Sequence, residues 1–173
     1  MSSAKGFIYL LAFTLTVLSG CASKEHPAAI LKVGMHIDAV LEFVIEYPLR
    51  WEKDRRLEYG RHEGEVRWRQ PDQGGTLLQV SSHFREYATD EQELALVLKD
   101  YPGLTENLRE QVELPAGKAW YISGQAAQQQ IELYLFLKPS RTYAITLKTA
   151  PENFAGYDVL MEKIIRSFQI LTQ

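Results

Sequence analysis

The chain has 173 residues, of which 46% are hydrophobic and 24% are charged, with 11 Gly, 7 Pro and one Cys. These values exclude the collagen-like, intrinsically disordered and disulfide-rich classes of protein. Asp and Glu number 22 against 19 Lys and Arg, so no excess of positive charge is present to neutralise a nucleic-acid backbone. We therefore expect no nucleic-acid binding, and a single Cys cannot form a disulfide within the chain.

An uncharged apolar block covers residues 7–18 and follows a short head that carries Lys5. A helix of this length would span about 18 Å, well short of the roughly 30 Å hydrocarbon core of a bilayer. A basic head, a short apolar middle and small residues at its end are the parts of an export signal. The sequence predicts a signal peptide over residues 1–20. The alternative, a core helix with Cys21 as a buried thiol, is disfavoured because the block lacks a polar face.

The end of this block, Leu18-Ser19-Gly20-Cys21, resembles the lipobox of bacterial lipoproteins, which has an aliphatic residue, two small residues and an obligatory Cys. The resemblance implies cleavage before Cys21 and attachment of a diacylglycerol to its sulfur, so that lipid chains hold the protein on a membrane. Ala22, in place of the Asp that retains lipoproteins in the inner membrane, implies sorting outwards. We therefore predict a lipid-anchored bacterial envelope protein on the periplasmic face of the outer membrane.

The remainder of the chain is expected to form one folded unit. Residues 21–32 contain the lipidated Cys and a small, polar tether. Residues 33–173 are expected to form a single domain, which must be stabilised by an apolar core because it has no disulfide.

Seven segments have the alternation or the residue types of β-strands. They are residues 42–47, 65–70, 76–84, 106–114, 119–125, 130–138 and 141–149. Residues 71–75 (PDQGG) predict a turn that joins the second and third segments in a hairpin. In the last two segments we expect one apolar face made of Ile131, Leu133, Leu135 and Leu137 with Tyr143, Ile145 and Leu147.

Two further segments have helical periodicity. Thr89 stands three residues before Gln92 as a helix cap, and apolar residues recur at helical spacing until Pro102. Residues 155–168 repeat the pattern. The sequence thus predicts an α+β fold in which an antiparallel sheet of six or seven strands packs with two main helices. A dinucleotide-binding fold is disfavoured because no βαβ pattern with glycine-rich turns is present.

Two short motifs near the ends of this domain carry a resemblance to a known family. Residues 43–51 (FVIEYPLRW) are an apolar strand that ends in Tyr-Pro before a Trp, and residues 164–171 (IIRSFQIL) end a helix in Ser-Phe. With the order of elements between them, they resemble PsbP-like domains over about residues 40–171.

The family includes an extrinsic photosystem II subunit, a nuclear transport factor that binds a small GTPase, and bacterial lipoproteins. The resemblance implies an α/β/α sandwich that acts as a binding or assembly factor, with no shared catalytic residues. From their chemistry, we expect Tyr47 and Trp51 to cap one end of the core and Phe168 to close the other.

The spacing of reactive residues predicts no catalytic site, no metal site and no cofactor. The four histidines, His26, His36, His62 and His83, do not have the spacing of a metal site, and we expect them on exposed strand edges.

Serines and carboxylates likewise give no catalytic signature. Ser123-Gly124 and Ser81-Ser82-His83 lack the context of a nucleophile elbow. Glu63 and Glu65 are expected on a solvated edge rather than as a glycosidase pair.

Basic and aromatic residues are concentrated between residues 50 and 69. The predicted partner-binding patch consists of Arg50, Trp51, Arg67, Trp68 and Arg69. Such a patch suits an anionic headgroup, a glycan or an acidic protein. Because Glu and Asp are interspersed, the alternative is a salt-bridged surface that binds nothing.

These observations favour a non-enzymatic, lipid-anchored binding or assembly module with an unknown protein partner. The alternative is a carrier of a small ligand or lipid in a cleft between sheet and helices, and a hydrolase ranks third. A concave apolar pocket would favour the carrier, and a nucleophile beside a base would favour the enzyme.

Overall fold

A computed structural model describes residues 32–58, 62–71 and 75–171. The strands are β1 (Val33–Asp38), β2 (Phe43–Pro48), β3 (Glu52–Leu57), β4 (Gly64–Arg69), β5 (Leu77–Phe84), β6 (Thr105–Leu114), β7 (Gly117–Ala126), β8 (Gln129–Leu137), β9 (Arg141–Thr149) and β10 (Gln169–Ile170). The helices are α1 (Asp90–Leu98), α2 (Pro151–Phe154) and α3 (Asp158–Ser167).

The strands form two antiparallel sheets. The large sheet has seven strands in the order β3-β4-β5-β9-β8-β7-β6, and the small sheet has three in the order β1-β2-β10. The predicted α+β class is confirmed, and the sheet that the sequence describes as one is divided into two. The predicted hairpin is confirmed as β4 and β5, in which Val66 lies opposite Val80 and Trp68 opposite Leu78.

Both faces of the large sheet are apolar along its central strands. The predicted pairing of β8 with β9 is confirmed, but the expectation that their apolar residues share one face is wrong. Side chains that lie opposite each other across two antiparallel strands share a face. Leu133 lies opposite Thr146 and Leu135 opposite Ala144, whereas Tyr143 lies opposite Phe136. The two apolar sets that the sequence places on one face therefore lie on opposite faces, and each face needs its own cover.

Two buried clusters supply that cover. On one face, which we call the α1 face, Leu94, Val97 and Tyr101 pack with residues of β7, β8 and β9. On the opposite face, the α3 face, helix α3 and the small sheet pack on β4, β5 and β9. The buried residues of α3 are Leu160, Met161, Ile164 and Ile165, as their helical spacing predicts. The result is a layered sandwich with the large sheet in the middle.

Phe168 lies at the centre of the second cluster and not at its end, which corrects the predicted position. Its side chain is fully buried. Its ring centroid lies 5.1 Å from that of Phe136, 5.8 Å from that of Tyr143 and 6.0 Å from that of Phe43. Through these contacts one ring joins the large sheet, the small sheet and the end of α3.

Several element boundaries differ from the predicted ones. The C-terminal helix begins at Asp158 and follows the separate short helix α2, because the segment that we expected to continue it passes through turns. Pro48 is the last residue of β2, opposite Val33. The cap of α1 is as predicted, since the Thr89 hydroxyl accepts a hydrogen bond from the Gln92 amide.

Strands β1 and β3 were not predicted. Every side chain of β3 is exposed, so this strand has no apolar alternation to reveal it. Strand β1 carries polar residues on its inner side, as described below.

The predicted signal peptide, Cys21 and most of the tether lie in residues 1–31, outside the described residues. They stay predictions. Among the residues that are described, no helix has the length and apolar character needed to cross a bilayer.

We predict that Phe168→Ala destabilises the protein by about 3–5 kcal/mol, because it removes a fully buried ring and leaves a cavity between two sheets. Urea unfolding monitored by Trp fluorescence measures the change. The control is Val159→Ala on α3, where the side chain is 76% exposed and a change within about 0.5 kcal/mol is expected. Equal effects of the two substitutions would contradict the central position of Phe168.

Candidate binding surface

Half of the α1 face has no helix over it. Helix α1 packs on β7, β8 and β9, while the side chains of β3, β4 and β5 on this face are at least partly exposed and, apart from Leu77, polar. We call the polar side chains the open face. Its members are Glu52, Asp54, Arg56, Glu65, Arg67, Arg69, Gln79, Ser81 and His83.

Charges of both signs alternate across the open face and pair with one another. Arg67 Nη2 lies 2.7 Å from Glu65 Oε1, and the Gln79 side-chain amide donates to the other Glu65 oxygen at 2.8 Å. Arg56 Nε lies 3.0 Å from Asp54 Oδ2. Arg69 is exposed. The surface is therefore polar and hydrated, with little apolar area to bind a lipid tail.

A cleft of about 530 Å³ runs between the open face and α1. Its acidic lining residues are Glu58, Glu63, Glu65, Glu86 and Asp100, and Arg56 and His83 also line it. Leu96, Val97 and Tyr101 form its helix side. A cleft with this lining suits a polar or cationic group more than an apolar ligand, because each buried polar atom of the lining needs a polar partner.

Glu93 fixes the helix wall of this cleft. Its side chain is fully buried, and Oε1 accepts hydrogen bonds from Thr142 Oγ1 at 2.7 Å and pairs with His83 Nε2 at 2.8 Å. Oε2 accepts from the backbone amides of Glu86 and Tyr87 at 3.2 and 3.1 Å. All of its strong acceptor positions are thus occupied, so Glu93 ties α1 to two strands and a loop.

The pKa of Glu93 reflects the same contacts. Burial raises the pKa of this carboxyl, but the hydrogen bonds from Thr142, His83 and Tyr87 outweigh burial and hold it below the usual value for Glu. Glu93 is therefore ionised at neutral pH. The sequence contains a signal for this residue, since Glu93 stands four residues before Val97 and eight before Tyr101 on the buried stripe of the helix.

The junction between α1 and the open face contains Tyr101 and Lys148. The Tyr101 hydroxyl lies 2.6 Å from Thr146 Oγ1, and burial raises its pKa to about 12. Lys148 Nζ lies 4.7 Å from the centre of the Tyr101 ring. Burial, and then the nearby Arg67, lower the pKa of Lys148. Tyr101 is therefore a neutral wall of the cleft at physiological pH.

The predicted partner-binding patch is only partly at the surface. Trp68 is fully buried and Trp51 is 5% exposed, so neither ring is available to a partner. Alternation along β4 puts Trp68 beside Val66 on the α3 face, opposite to Arg67 and Arg69. These two arginines belong to the open face, and Arg50 is exposed in the turn after β2.

The buried tryptophans have aromatic neighbours. The Trp68 ring stacks on Tyr47 with centroids 5.4 Å apart, and Trp51 meets Tyr157 edge to face at 6.0 Å. Tyr47 is partly buried against the core, as expected of a cap, whereas Trp51 is a buried member of the core cluster. The indole nitrogens of Trp51 and Trp68 make no hydrogen bond within the described part of the chain.

Of the described histidines, His36 and His83 differ from the exposed positions that we expected, and His62 does not. His36 packs 5.3 Å from Trp68 and 5.8 Å from Phe43, centroid to centroid. Burial, and then the charge of Lys53, lower its pKa, which keeps the ring neutral. His83 is engaged with Glu93, and His62 is exposed. His26 lies outside the described residues.

Glu63 and Glu65, which we expected on a solvated edge, both have partners within the protein. Glu63 is buried, not solvated as expected, and accepts a hydrogen bond from the Phe84 amide at 2.7 Å. Glu65 is held by Arg67 and Gln79, as described above.

The serine candidates have structural partners. Ser82 Oγ accepts from Arg141 Nη1 at 2.9 Å, and Gln130 donates to Ser123 Oγ at 3.1 Å. Within residues 32–58, 62–71 and 75–171, no group of three or more His, Cys, Asp or Glu residues is placed to hold a metal ion.

A second cavity of about 640 Å³ lies at the end of the sandwich where loops meet β10. Pro115, Ala116, Pro139, Ile170 and Leu171 supply its apolar lining. Its cations already have partners within the protein, because Lys138 Nζ donates to the Ala116 carbonyl at 2.7 Å and Arg141 Nη1 to the His62 carbonyl at 2.6 Å. It lies between loops and β10 and not between the sheet and a helix, where the carrier alternative placed its cleft.

Comparison with solved structures identifies the fold as PsbP-like. The chain is similar to the solution structure of cyanobacterial PsbP from Synechocystis, with a TM-score of 0.62 and 12% sequence identity over 82% of this chain and 94% of that one. A crystal structure from Bacteroides thetaiotaomicron aligns with a TM-score of 0.46 at 12% identity over 80% of this chain and 48% of that one, too low to carry an argument. No protein-family model matches the sequence, and no curated protein matches it significantly.

We predict that Glu93→Gln destabilises the protein by about 2–4 kcal/mol at neutral pH, because the amide cannot accept all four hydrogen bonds and the charge is lost. A carboxyl with a lowered pKa stabilises the fold above its unfolded pKa of about 4.3, and that contribution is lost as pH falls through the folded value. The difference in the free energy of unfolding between wild type and Glu93→Gln, measured with urea, should therefore decrease at acidic pH.

The control for this prediction is Glu91→Gln, which changes an exposed carboxyl on the same helix. Its stability should follow the wild type at every pH. A Glu93→Gln variant with wild-type stability at neutral pH would show that the network does not position α1.

Proposed function

We propose that the protein is a non-enzymatic, lipid-anchored module of the bacterial envelope that binds a protein partner through the open face. The observation that carries the proposal is the uncovered half of the α1 face, three adjacent strands wide, beside a helix whose position Glu93 fixes. The lipobox-like motif at Cys21 supports the anchor, and the PsbP-like fold supports a binding role.

The chemistry of the open face favours a protein partner over a carried lipid. Alternating charged and amide side chains on a sheet can be matched by complementary charges on another protein, which supplies specificity and speeds association. Ser82 and His83 are successive residues of β5 and point to opposite faces of the sheet, so the Ser82 hydroxyl is not beside this histidine, which disfavours the hydrolase.

Arg56 and Arg69 are the residues of the open face best placed to contact such a partner. Both are exposed, and they lie on the two strands at the free edge of the large sheet. Reversing their charge alters the surface without removing a buried contact. A rim charge of this kind mainly affects the rate of association and its salt dependence.

Lipid attachment is tested by metabolic labelling. We expect radiolabelled palmitate to label the wild type and not Cys21→Ser, because the thiol is the only acceptor in the predicted lipobox. The control is Ser19→Ala, which keeps a small residue in the motif and should be labelled. Equal labelling of wild type and Cys21→Ser would refute the anchor.

Partner binding is tested by crosslinking in intact cells. We expect a photo-reactive residue in place of Gln79 to form a defined crosslinked species, and Arg56→Glu with Arg69→Glu to reduce its yield by about tenfold, as a loss of rim charge complementarity allows. Lys118→Glu is the matched control, because Lys118 is exposed at the β6-β7 hairpin, away from the open face. Unchanged crosslinking in the double variant would exclude the open face as the interface.

A further inference from the structure

Strand β1 has its apolar side chains on the outside of the protein. Met35 is 66% exposed and Ile37 is 62% exposed, whereas Val33 at the start of the strand is partly buried against the core. The alternate residues Gly34, His36 and Asp38 face the large sheet. Edge strands of soluble proteins normally show the reverse pattern, with polar residues outside.

The register of β1 cannot relax to hide these residues. Asp38 is buried and accepts hydrogen bonds from Arg55 Nε at 2.6 Å and Arg55 Nη2 at 2.7 Å. Its carboxylate also accepts from the amides of Val40 and Leu41. A slip of one residue would bring Met35 and Ile37 inside, but it would expel Asp38 and break all four bonds. The outward position of Met35 and Ile37, which we call the apolar row, is therefore imposed by the contacts on the inner side of β1.

The row lies where the predicted anchor enters the fold. The described chain begins at Lys32, which directly precedes β1 and stands eleven positions after Cys21. Eleven residues reach at most about 40 Å. A lipid on Cys21 would therefore keep β1 within that distance of the bilayer surface.

The charges beside the row match an anionic membrane. Lys32 is exposed, and Lys163 of α3, which is half exposed, lies 3.4 Å from Glu46 of the neighbouring strand. Glu46 is opposite Met35, and it is the acidic group that faces the row from β2. Its charge is balanced by Lys163, so Lys32 leaves the surroundings of the row positive.

We propose that Met35 and Ile37 form the surface on which the domain rests on the lipid bilayer. This inference rests on the proposed function, since it needs the anchor at Cys21. Two apolar side chains would not hold a free domain on a membrane, but a tether makes the contact intramolecular and raises its effective concentration to about the millimolar range.

The orientation that follows leaves the open face accessible. The small sheet packs on the α3 face of the large sheet, so the outer side of β1 points away from the large sheet. The open face lies on the opposite, α1 face. With β1 on the bilayer, the open face is directed away from it.

The test places a nitroxide label on the lipidated protein in vesicles of phosphatidylethanolamine and phosphatidylglycerol. Cys21 is the only cysteine of the chain, and its sulfur is blocked by lipid, so Met35→Cys and Ile37→Cys each give one reactive thiol. The control is Leu108→Cys on β6, where the replaced apolar residue is 45% exposed at the far edge of the large sheet.

We expect the accessibility of the label to oxygen, relative to a water-soluble nickel complex, to be severalfold higher at residues 35 and 37 than at residue 108. Adding Ile37→Glu to the Met35→Cys protein should lower this ratio towards the control value, because a carboxylate is expelled from the interface. Both positions are exposed, so neither substitution removes a core contact.

Equal ratios at all three sites would overturn the proposal. Dipolar broadening between labels that increases with the protein-to-lipid ratio would also overturn it, because it would assign the row to a second copy of the chain. Palmitate labelling judges the anchor separately, so failure of the proposed function and failure of the membrane surface give different results.

Discussion

The architecture depends on one constraint, which is that the central strands β8 and β9 carry apolar side chains on both faces. A sheet with one apolar face can leave the other in water, but a sheet with two must be covered twice. Here α1 covers one face, and α3 with the small sheet covers the other. The order of the chain follows this requirement, because α1 is inserted before the last four strands of the large sheet are made.

The two covers differ in extent, and this difference creates the candidate site. Helix α1 has nine residues and is about 13 Å long. Seven strands spaced about 4.8 Å apart span about 29 Å. The helix therefore cannot cover the whole sheet, and the polar side chains of β3, β4 and β5 occur where it stops. The Glu93 network holds the helix over the apolar half and leaves the polar half open.

The elements with regular patterns were predictable from the sequence, and those with irregular ones were not. Strands β4, β5, β8 and β9 alternate, and α1 and α3 have helical periodicity, so local sequence was sufficient. The sequence could not predict on which face of the sheet the apolar residues of β8 and β9 lie. Both strands carry apolar residues such as Leu133 and Tyr143, and only the register between the strands decides which face each residue takes. Strand β3 (EKDRRL) has no apolar residue before its last position and owes its structure to pairing with β4.

The candidate site was predictable in part. Arg67 and Arg69 were identified as surface residues, and the period of two that puts them outside also puts Trp68 inside. Counting Trp68 as part of the patch therefore contradicted the alternation of its own strand. Glu93 was missed because its role depends on Thr142 and His83, which are distant in sequence and meet only when β5 and β9 pair.

One ion pair relates the two proposed surfaces. Asp38 lies on β1 beneath the apolar row, and Arg55 lies on β3, whose other side belongs to the open face. Burial opposes ionisation of Asp38, but the hydrogen bonds from Arg55 and the backbone of Leu41 outweigh it and lower the pKa of the carboxyl. The pair is thus charged at neutral pH and joins an edge of the small sheet to an edge of the large one. Because β3 is otherwise exposed, this contact helps fix the edge of the open face relative to β1.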